Sequence, residues 1–452
     1  MSKEESARDE SVKKAARPRR YIREFGRPPS GPVEEAAISI AMVLLAAAVG
    51  FGAGAAVWAL MGCVNLLTDL VWVDLQAKCG VPWFPGAACI TGGALIALWT
   101  KFSGDRISTL EEVLAEVKRT GRYMPDSLWK SFVSFLLPLV SGGSVGPEAG
   151  LSGFIAGACT WIGDRLKRAG LKTRAVTDVS ISAVLTAVFG TPLMGIAATA
   201  EEGIPDESEY TFGRRAKILL YTVSALGAFA GVALVSQIPG LVGGLPRFDA
   251  VHAKGAEHLY AIPLALVGWA LAMLFHVGRR VSGSIAAKAE KIADWLPVIC
   301  GAVLGTIALF LPNVCFAGEE QSIEIMGVWK TTGVSMLLLT GAVKVLVTPM
   351  CVRFGWRGGN FFPTIYAGIS FGYGISMLTG FDLVMCVFSV TTSLVAGMTR
   401  RPLLTLALLL LCFPLRNVVM IAVTALIGAL MPMPSALDPG HPDWGSMLRR
   451  KD

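Results

Sequence analysis

Charged side chains are scarce in this sequence. Aspartate, glutamate, lysine and arginine make up 16% of the 452 residues, whereas soluble globular domains carry about 25%. Hydrophobic residues account for 53% of the chain, and its mean hydropathy is +0.59. This balance excludes an ordinary soluble protein. It predicts an all-α polytopic membrane protein, because each spanning helix needs about 20 predominantly apolar residues.

Histidines and clustered cysteines are also scarce. The four histidines are scattered, and the nine cysteines occur singly, without a CxxC pair. No HExxH or similar nucleophile–base pattern occurs, so we predict no catalytic residues, no metal and no cofactor, and an intramembrane enzyme is only a remote alternative. The net charge of +7 lies mostly in tails and short loops, so the expected partner is the lipid bilayer and not a nucleic acid.

The apolar segments lie between two polar ends. We predict an N-terminal tail over residues 1–35, a first membrane half over 36–235, a second half over 236–432 and a short C-terminal segment over 433–452. The N-terminal tail is rich in lysine and arginine, which places it in the cytoplasm by the positive-inside rule. The expected location is therefore a cell (inner) membrane crossed several times, with both termini cytoplasmic.

Glycine and proline are abundant, at 50 and 24 residues, and most lie within or beside apolar runs. The clearest interruption is the stretch from Ser141 to Gly150, with Pro147 placed to begin a new helix. A helix that breaks inside a bilayer must line a cavity or be buried in protein. The free N–H groups of residues 144–146 and the positive end of the new helix would then hold an anion. The alternative is an ordinary loop between two membrane helices.

The interruption occurs twice. Lys130 precedes the first Gly-Gly and Pro147, and Lys344 precedes Gly358-Gly359 and Pro363. A second break follows in each half, 45 residues after the first proline and 39 residues after the second, at Pro192 and Pro402. Matching interrupted segments in two halves are the sequence signature of a transporter whose site lies at the interface between repeats.

These residues carry a resemblance to a known family. Residues 143–147, Gly-Ser-Val-Gly-Pro, resemble the G-x-E-G-P motif of the CLC chloride channel and transporter family. Residues 357–363 resemble its G-G-x-F-x-P motif, residues 191–202 its A-P-L-x-G … E-E segment and residues 401–403 its R-A-P-L motif. The similarity covers about residues 36–448 and implies an inverted repeat of tilted and broken helices.

The resemblance also implies a function and a set of ligands. It predicts a homodimer in which each subunit carries chloride or a similar monovalent anion along its own pathway. The amides expected to bind the anion are those of Gly143, Ser144, Val145, Gly146, Asn360 and Phe361.

The sequence departs from the family at the gate. Val145 stands where the family has its gating glutamate, and valine can neither occupy an anion site as a carboxylate nor carry a proton. Glu148, three residues later, is either a displaced gate or a structural acid in the first turn of a helix. Glu202 aligns with the family's internal proton-transfer glutamate and Glu201 with the neighbour of that residue, and the alternative is that both are solvated at a helix end.

Two further ligand positions are altered. The family's anion-binding serine falls on Asp105, and Ser108 is the replacement candidate. Near the C-terminus Trp444 stands where the family has a tyrosine. Its indole N–H could donate to the anion, or the side chain could lie at the membrane interface.

Lys130 and Lys344 lie within apolar helices. They either hold anions in the pore by their positive field or pair with backbone carbonyls.

Because Val145 cannot titrate, passive anion conduction without proton coupling is the first functional hypothesis. Proton-coupled exchange through Glu148 and Glu202 is the alternative. The sequence does not rank chloride against nitrate, bromide or fluoride.

Overall fold

The computed structural model describes residues 32–104, 127–166, 214–235, 246–249, 255–410 and 412–438, and the separate positions 112, 113, 116, 123, 183, 186, 187, 237 and 251. Within these residues the regular structure is helical, and the only strand-like pairing is an isolated bridge between Gly146 and Gly359. The predicted all-α membrane fold is confirmed.

The described helices differ widely in length. In the first part of the chain they are α1 (Pro32–Asp69), α2 (Gln76–Cys79), α3 (Phe84–Ser103), α4 (Leu128–Val140), α5 (Glu148–Leu166) and α6 (Arg214–Val235). In the second part they are α7 (Ala261–Lys288), α8 (Leu296–Ala308), α9 (Glu319–Thr332), α10 (Val334–Arg353), α11 (Phe361–Thr379), α12 (Leu383–Thr399), α13 (Pro402–Leu409) and α14 (Val418–Leu430). A π-helical turn, Leu70–Leu75, joins α1 to α2, and short 3₁₀ turns occupy Gly255–Tyr260, Glu290–Trp295, Pro312–Val314 and Leu415–Asn417.

Six helical segments of the described chain are long and apolar enough to cross a bilayer. They are Val43–Cys79, Ile218–Val235, His258–Lys288, Glu290–Ala308, Val334–Arg353 and Phe361–Thr379. Several others, including α4, α12 and α14, are apolar but too short to span. This mixture of full-length and short apolar helices fits the broken helices predicted from the glycine and proline content.

Helices α1 and α6 pack against each other through small residues. Gly50 and Gly54 of α1 face the backbone of Ser224 and Ala228 in α6, so closely that a methyl group at either glycine would overlap a carbonyl oxygen. Gly227 and Gly231 of α6 face the backbone of α1 in the same way. Two G-x-x-x-G pairs therefore bring the helix backbones into direct contact, as is common where lipid supplies no hydrophobic driving force between helices.

Helix α12 forms the centre of the second part. Every residue from Val384 to Met398 is buried, and the helix packs against α7, α11 and α14. A helix that is buried on all sides has no lipid-facing stripe. It ends at Thr399, and Pro402 begins α13 at the first helical position, where its missing N–H costs nothing. The predicted break at residues 401–403 is therefore present, whereas the one at residues 191–193 lies outside the described residues.

Candidate functional site

Two interrupted helices meet at the centre of the candidate site. The Gly146 N–H donates to the Gly359 carbonyl at 2.8 Å, and the Gly359 N–H donates back to the Gly146 carbonyl at 2.7 Å. A side chain on Gly358 would lie 2.7 Å from Cβ of Val145. A Cβ atom on Gly358 would therefore force apart the two connections, which we call the 143–147 loop and the 358–360 loop.

A helix begins directly after each loop. Helix α4 ends at Val140, Gly142 takes a left-handed conformation with φ of +85°, and α5 begins at Glu148 after Pro147. On the other side α11 begins at Phe361. The N-terminal ends of α5 and α11, where the first N–H groups have no partner within their own helix and carry a partial positive charge, therefore flank the Gly146–Gly359 bridge.

The side chain of Glu148 lies between the two loops. It is fully buried, and its Oε1 accepts a hydrogen bond from the Phe361 N–H at 2.7 Å. Its Oε2 has no hydrogen-bond partner among the described residues. A methyl group at Gly146 or at Gly359 would overlap this carboxylate, so the two glycines form the space that it fills. The Glu148 carboxylate of α5 thus binds the Phe361 amide of α11, which the sequence predicts as a ligand of the transported anion.

Three of the other predicted amides have backbone partners. Gly143 donates to the Pro138 carbonyl at 2.8 Å, Val145 donates to the Gly143 carbonyl at 2.8 Å, and Gly146 donates to Gly359. These bonds hold the 143–147 loop in shape. An anion that used these amides would have to compete with carbonyl oxygens, so their ligand role stays a prediction.

The side chains of Ser144, Val145 and Asn360 lie beside these amides and are largely buried. The Ser144 hydroxyl pairs with the Thr348 hydroxyl of α10 at 3.1 Å, and both residues are buried. Val145 is fully buried. The Asn360 side-chain oxygen is buried and has no hydrogen-bond partner among the described residues. Asn360 therefore brings one unsatisfied polar atom next to the Phe361 amide.

The two lysines differ in their surroundings. Lys344 in α10 is fully buried, and its ammonium group donates to four backbone carbonyls at 2.8–3.3 Å, those of Asn313, Val314, Cys315 and Phe316. Lys130 is only half-buried and donates to the Ser103 carbonyl at the end of α3, at 2.9 Å. Both lysines therefore make the contacts with backbone carbonyls that the sequence analysis gives as one of its two alternatives. A role of either charge in holding a pore anion stays a prediction.

Glu319 is a site residue that the sequence analysis does not single out. It begins α9, next to Gly318, whose φ is +101°. The helix is not among the six segments that can span a bilayer. Burial, the carboxylate of Glu148 and that of Glu320 raise the pKa of Glu319 to about 8. Glu319 could have been found from its place, since it belongs to an acidic pair directly after a glycine between two apolar segments.

Four predicted site residues, Ser108, Glu201, Glu202 and Trp444, lie outside the described residues. The described part of the chain contains no group of three histidine, cysteine, aspartate or glutamate side chains arranged to hold a metal ion. What the described geometry offers chemically is an amide at a helix N-terminus, a buried carboxylate bound to it and a second carboxylate nearby.

The chain is similar to known anion transporters. The family model described as voltage gated chloride channel matches residues 86–432. YfeO of Shigella flexneri, whose name places it among candidate ion-transport proteins, is 21% identical over 337 residues, which cover 73% of this chain and 77% of that protein. The same protein from Escherichia coli K12 strain DH10B matches over the same share of both chains.

Solved structures resemble the fold over most of its length. A slow cyanobacterial Cl⁻/H⁺ antiporter has a TM-score of 0.67 and 17% identity, covering 90% of this chain and 97% of its own. A CLC-type fluoride/proton antiporter has a TM-score of 0.66 and 16% identity, covering 89% and 96%. At this identity the similarity establishes the fold alone.

Proposed function

Because the chain belongs to the voltage-gated chloride channel (CLC) family, whose members transport anions and are not enzymes, we propose that it moves a chloride-like monovalent anion between the 143–147 and 358–360 loops, with Glu148 as the gate. The chain is a multi-pass membrane protein.

The observation that carries this proposal is the hydrogen bond from the Phe361 amide to the Glu148 carboxylate. A carboxylate is a tethered anion, and it holds the donor that a mobile anion needs. A hydrogen bond to a charged group contributes roughly 1.5–3 kcal/mol, which is small enough for a competing anion or a proton to displace it. Transport therefore requires Glu148 to leave Phe361, and protonation of the carboxylate favours that step because it removes the negative charge.

This geometry supports proton-linked transport over proton-independent conduction, which reverses the order of the two sequence hypotheses. A titratable group that competes with the anion for one amide links the two ions. Glu319 supplies a second acid near the gate, and Glu202 is the predicted acid at the other end of the path. One observation still favours passive conduction. Val145, which cannot titrate, stands at the position where the family carries its gating glutamate.

The anion and the assembly follow from the relatives. Among the similar structures, one protein exchanges chloride and another exchanges fluoride for protons, so chloride is the first anion to test and fluoride the second. We further propose a homodimer in the cell membrane, with cytoplasmic termini and with membrane halves at residues 36–235 and 236–432.

Flux measurements on purified protein in liposomes test the proposal. Vesicles loaded with chloride are followed with chloride and pH electrodes, for the wild type and for Glu148→Gln, with Glu290→Gln on an exposed turn as the control. We expect wild-type chloride flux to rise as the pH falls. In Glu148→Gln, whose amide cannot titrate, we expect the flux to be fast and independent of pH.

Uphill proton movement driven by a chloride gradient would support exchange. Its absence, with pH-dependent flux retained, would leave a gated passive pathway. If Glu148→Gln behaves like the wild type at every pH, Glu148 is not the gate.

A further inference from the structure

A cavity with both polar and apolar lining residues lies where the last turns of α3 approach α4, the start of α8 and the connection from α10 to α11, and Glu148 is not among these residues. Its volume is about 150 Å³. The polar and backbone groups that matter for its chemistry come from Thr100, Ser134, Asp294, Arg353, Gly355 and Arg357. A water molecule needs about 10–15 Å³ of such volume, so the cavity has room for a group several times larger than a halide ion.

The charges of the cavity favour an oxyanion. Among the described residues that line the cavity, two are arginines, the exposed Arg353 and the half-buried Arg357, and one is acidic, Asp294. Guanidinium groups bind phosphate oxygens in pairs, with a geometry that a spherical halide cannot use. Thr100, whose hydroxyl group can donate a hydrogen bond, also lines the cavity.

The surface around the cavity is apolar and aromatic. Trp295, next to Asp294, is 65% exposed, and Phe102, two residues beyond Thr100, is 78% exposed. Ile292 on the same 3₁₀ turn as Asp294 is also exposed. Tryptophan beside basic residues is typical of the level at which lipid headgroups lie. We propose that this cavity binds a phosphate group, supplied by the headgroup of an anionic phospholipid or by free phosphate, and that its occupancy modulates transport.

A short chain of contacts leads from the cavity to the gate. Pro297 lines the cavity, and its carbonyl accepts the indole N–H of Trp356 at 2.8 Å. Trp356 is fully buried, and its ring lies where a side chain on Gly143 would be, 2.8 Å from that Cβ position. A group that binds against Pro297 therefore contacts the residue whose carbonyl holds Trp356 beside the 143–147 loop. The effect on transport rests on the proposed function, but the binding does not.

Binding is measured on the full-length protein in two forms. Nanodiscs of phosphatidylcholine are compared with nanodiscs containing phosphatidylglycerol, and detergent-purified protein is titrated with inorganic phosphate. The readouts are the lipid retained in native mass spectrometry and the shift of the unfolding temperature. Retention of phosphatidylglycerol alone assigns the site to lipid, and a saturable response to inorganic phosphate assigns it to the free ion. If neither ligand binds, the proposal is wrong.

Substitutions locate the binding. Arg353→Gln combined with Arg357→Gln should weaken binding at least tenfold, whereas Arg416→Gln, the same change on an exposed turn far along the chain, should not. Asp294→Asn should tighten binding several-fold, because it removes the one acidic side chain among the described residues that line the cavity, and this exposed site tolerates the change. Equal binding by the wild type and by both cavity variants would overturn the assignment.

The link to transport has its own measurement. Trp356→Phe keeps an aromatic ring but removes the bond to Pro297, so it should retain binding while the ligand's effect on chloride flux falls at least threefold. If the ligand changes flux equally in the wild type and in this variant, the proposed coupling is wrong even though the site remains. If Glu148→Gln transports chloride like the wild type at every pH, the gate proposal is wrong, but the binding of a phosphate group in this cavity is unaffected.

Discussion

At the scale of single residues, the chemistry of the site depends on where one carboxylate lies. The sequence predicts Glu148 either as a displaced gate or as a structural acid. To decide between these roles, one must know which distant residue its carboxylate contacts. Phe361 provides that contact from 213 residues away. No spacing rule predicts it, because the side chain leaves its own helix terminus and binds the terminus of another. The interaction between Glu319 and Glu148 is not predicted for the same reason, since the two carboxylates belong to distant segments.

Gly359→Ala should abolish or strongly reduce anion flux. The added methyl group overlaps the Glu148 carboxyl, so the carboxylate or the anion loses its place at the Phe361 amide. The control is Gly327→Ala, a helical glycine of α9 with open space around it. Chloride efflux from liposomes measures both variants. Wild-type flux in Gly359→Ala, from a folded protein, would show that the space between the loops is not on the anion pathway.

Glu319→Gln should flatten the pH dependence of stability. The pKa of Glu319 is raised to about 8 by burial and by the carboxylates of Glu148 and Glu320, whereas an unfolded glutamate has a pKa of about 4.3. Between these values the folded state binds more protons than the unfolded state, so stability falls as the pH rises from about 4.3 to 8.

Thermal unfolding in detergent from pH 4 to 9 checks this, with the exposed Glu324→Gln as the control. The wild type should lose stability with rising pH more steeply than Glu319→Gln does. Parallel curves would place the Glu319 carboxylate in water.

At the scale of helices, the sequence is more informative. Composition and the glycine and proline positions predict the class, the interruption before α5 and the break before α13, because these depend on local backbone properties. The sequence is less informative about which helices pack against each other. The pairs Gly50/Gly54 and Gly227/Gly231 indicate close helix packing. Only the structure shows that α1 packs on α6, because an apolar helix face can contact either lipid or another helix.

Gly54→Val should separate α1 from α6. Its side chain would overlap the Ala228 carbonyl, and overpacking of a close contact costs about 1–3 kcal/mol. Gly52→Val is the matched control, because Gly52 lies on the same helix with open space around it and the change in helix propensity is equal. The temperature of unfolding should fall for the first variant and stay nearly unchanged for the second. Equal effects would mean that propensity, and not packing, decides the result.

Lys344→Met should destabilise the region where α10 passes the 3₁₀ turn Pro312–Val314. The four carbonyls around Nζ lose their donor, and one unsatisfied buried polar group alone costs about 1–3 kcal/mol. Lys130→Met removes a single carbonyl contact from a half-buried residue and should cost much less. Fluorescence-detected unfolding compares the two. A larger loss in Lys130→Met would contradict the assignment of Lys344 as the stronger structural lysine.

At the scale of the whole molecule, the two parts of the chain share one site. The bridge between Gly146 and Gly359 and the bond from Phe361 to Glu148 both cross from the first interrupted helix to the second. The repeated sequence pattern predicts this meeting in general terms, since each break alone would leave amides unsatisfied in the bilayer. The dimer, the sidedness and the acids of the intracellular path stay predictions.

Crystals of Glu148→Gln soaked in bromide should show an anomalous peak within hydrogen-bond distance of the Phe361 amide. The charge that competes for this donor is then absent, so the halide can take its place. The wild type at the same pH should show a weaker peak there. Bromide bound only outside the two loops in the variant would move the anion pathway elsewhere.

The bridge between the loops also sets an order for biogenesis. Gly146 leaves the ribosome 213 residues before Gly359, its partner in both backbone bonds, which is about 10–40 s at typical synthesis rates. During that interval the N–H and carbonyl groups of Gly146, which lie just before α5, lack the partners that they have in the folded chain. The nascent first half must therefore be sheltered by water, by the insertion machinery or by a neighbouring chain until the second half arrives.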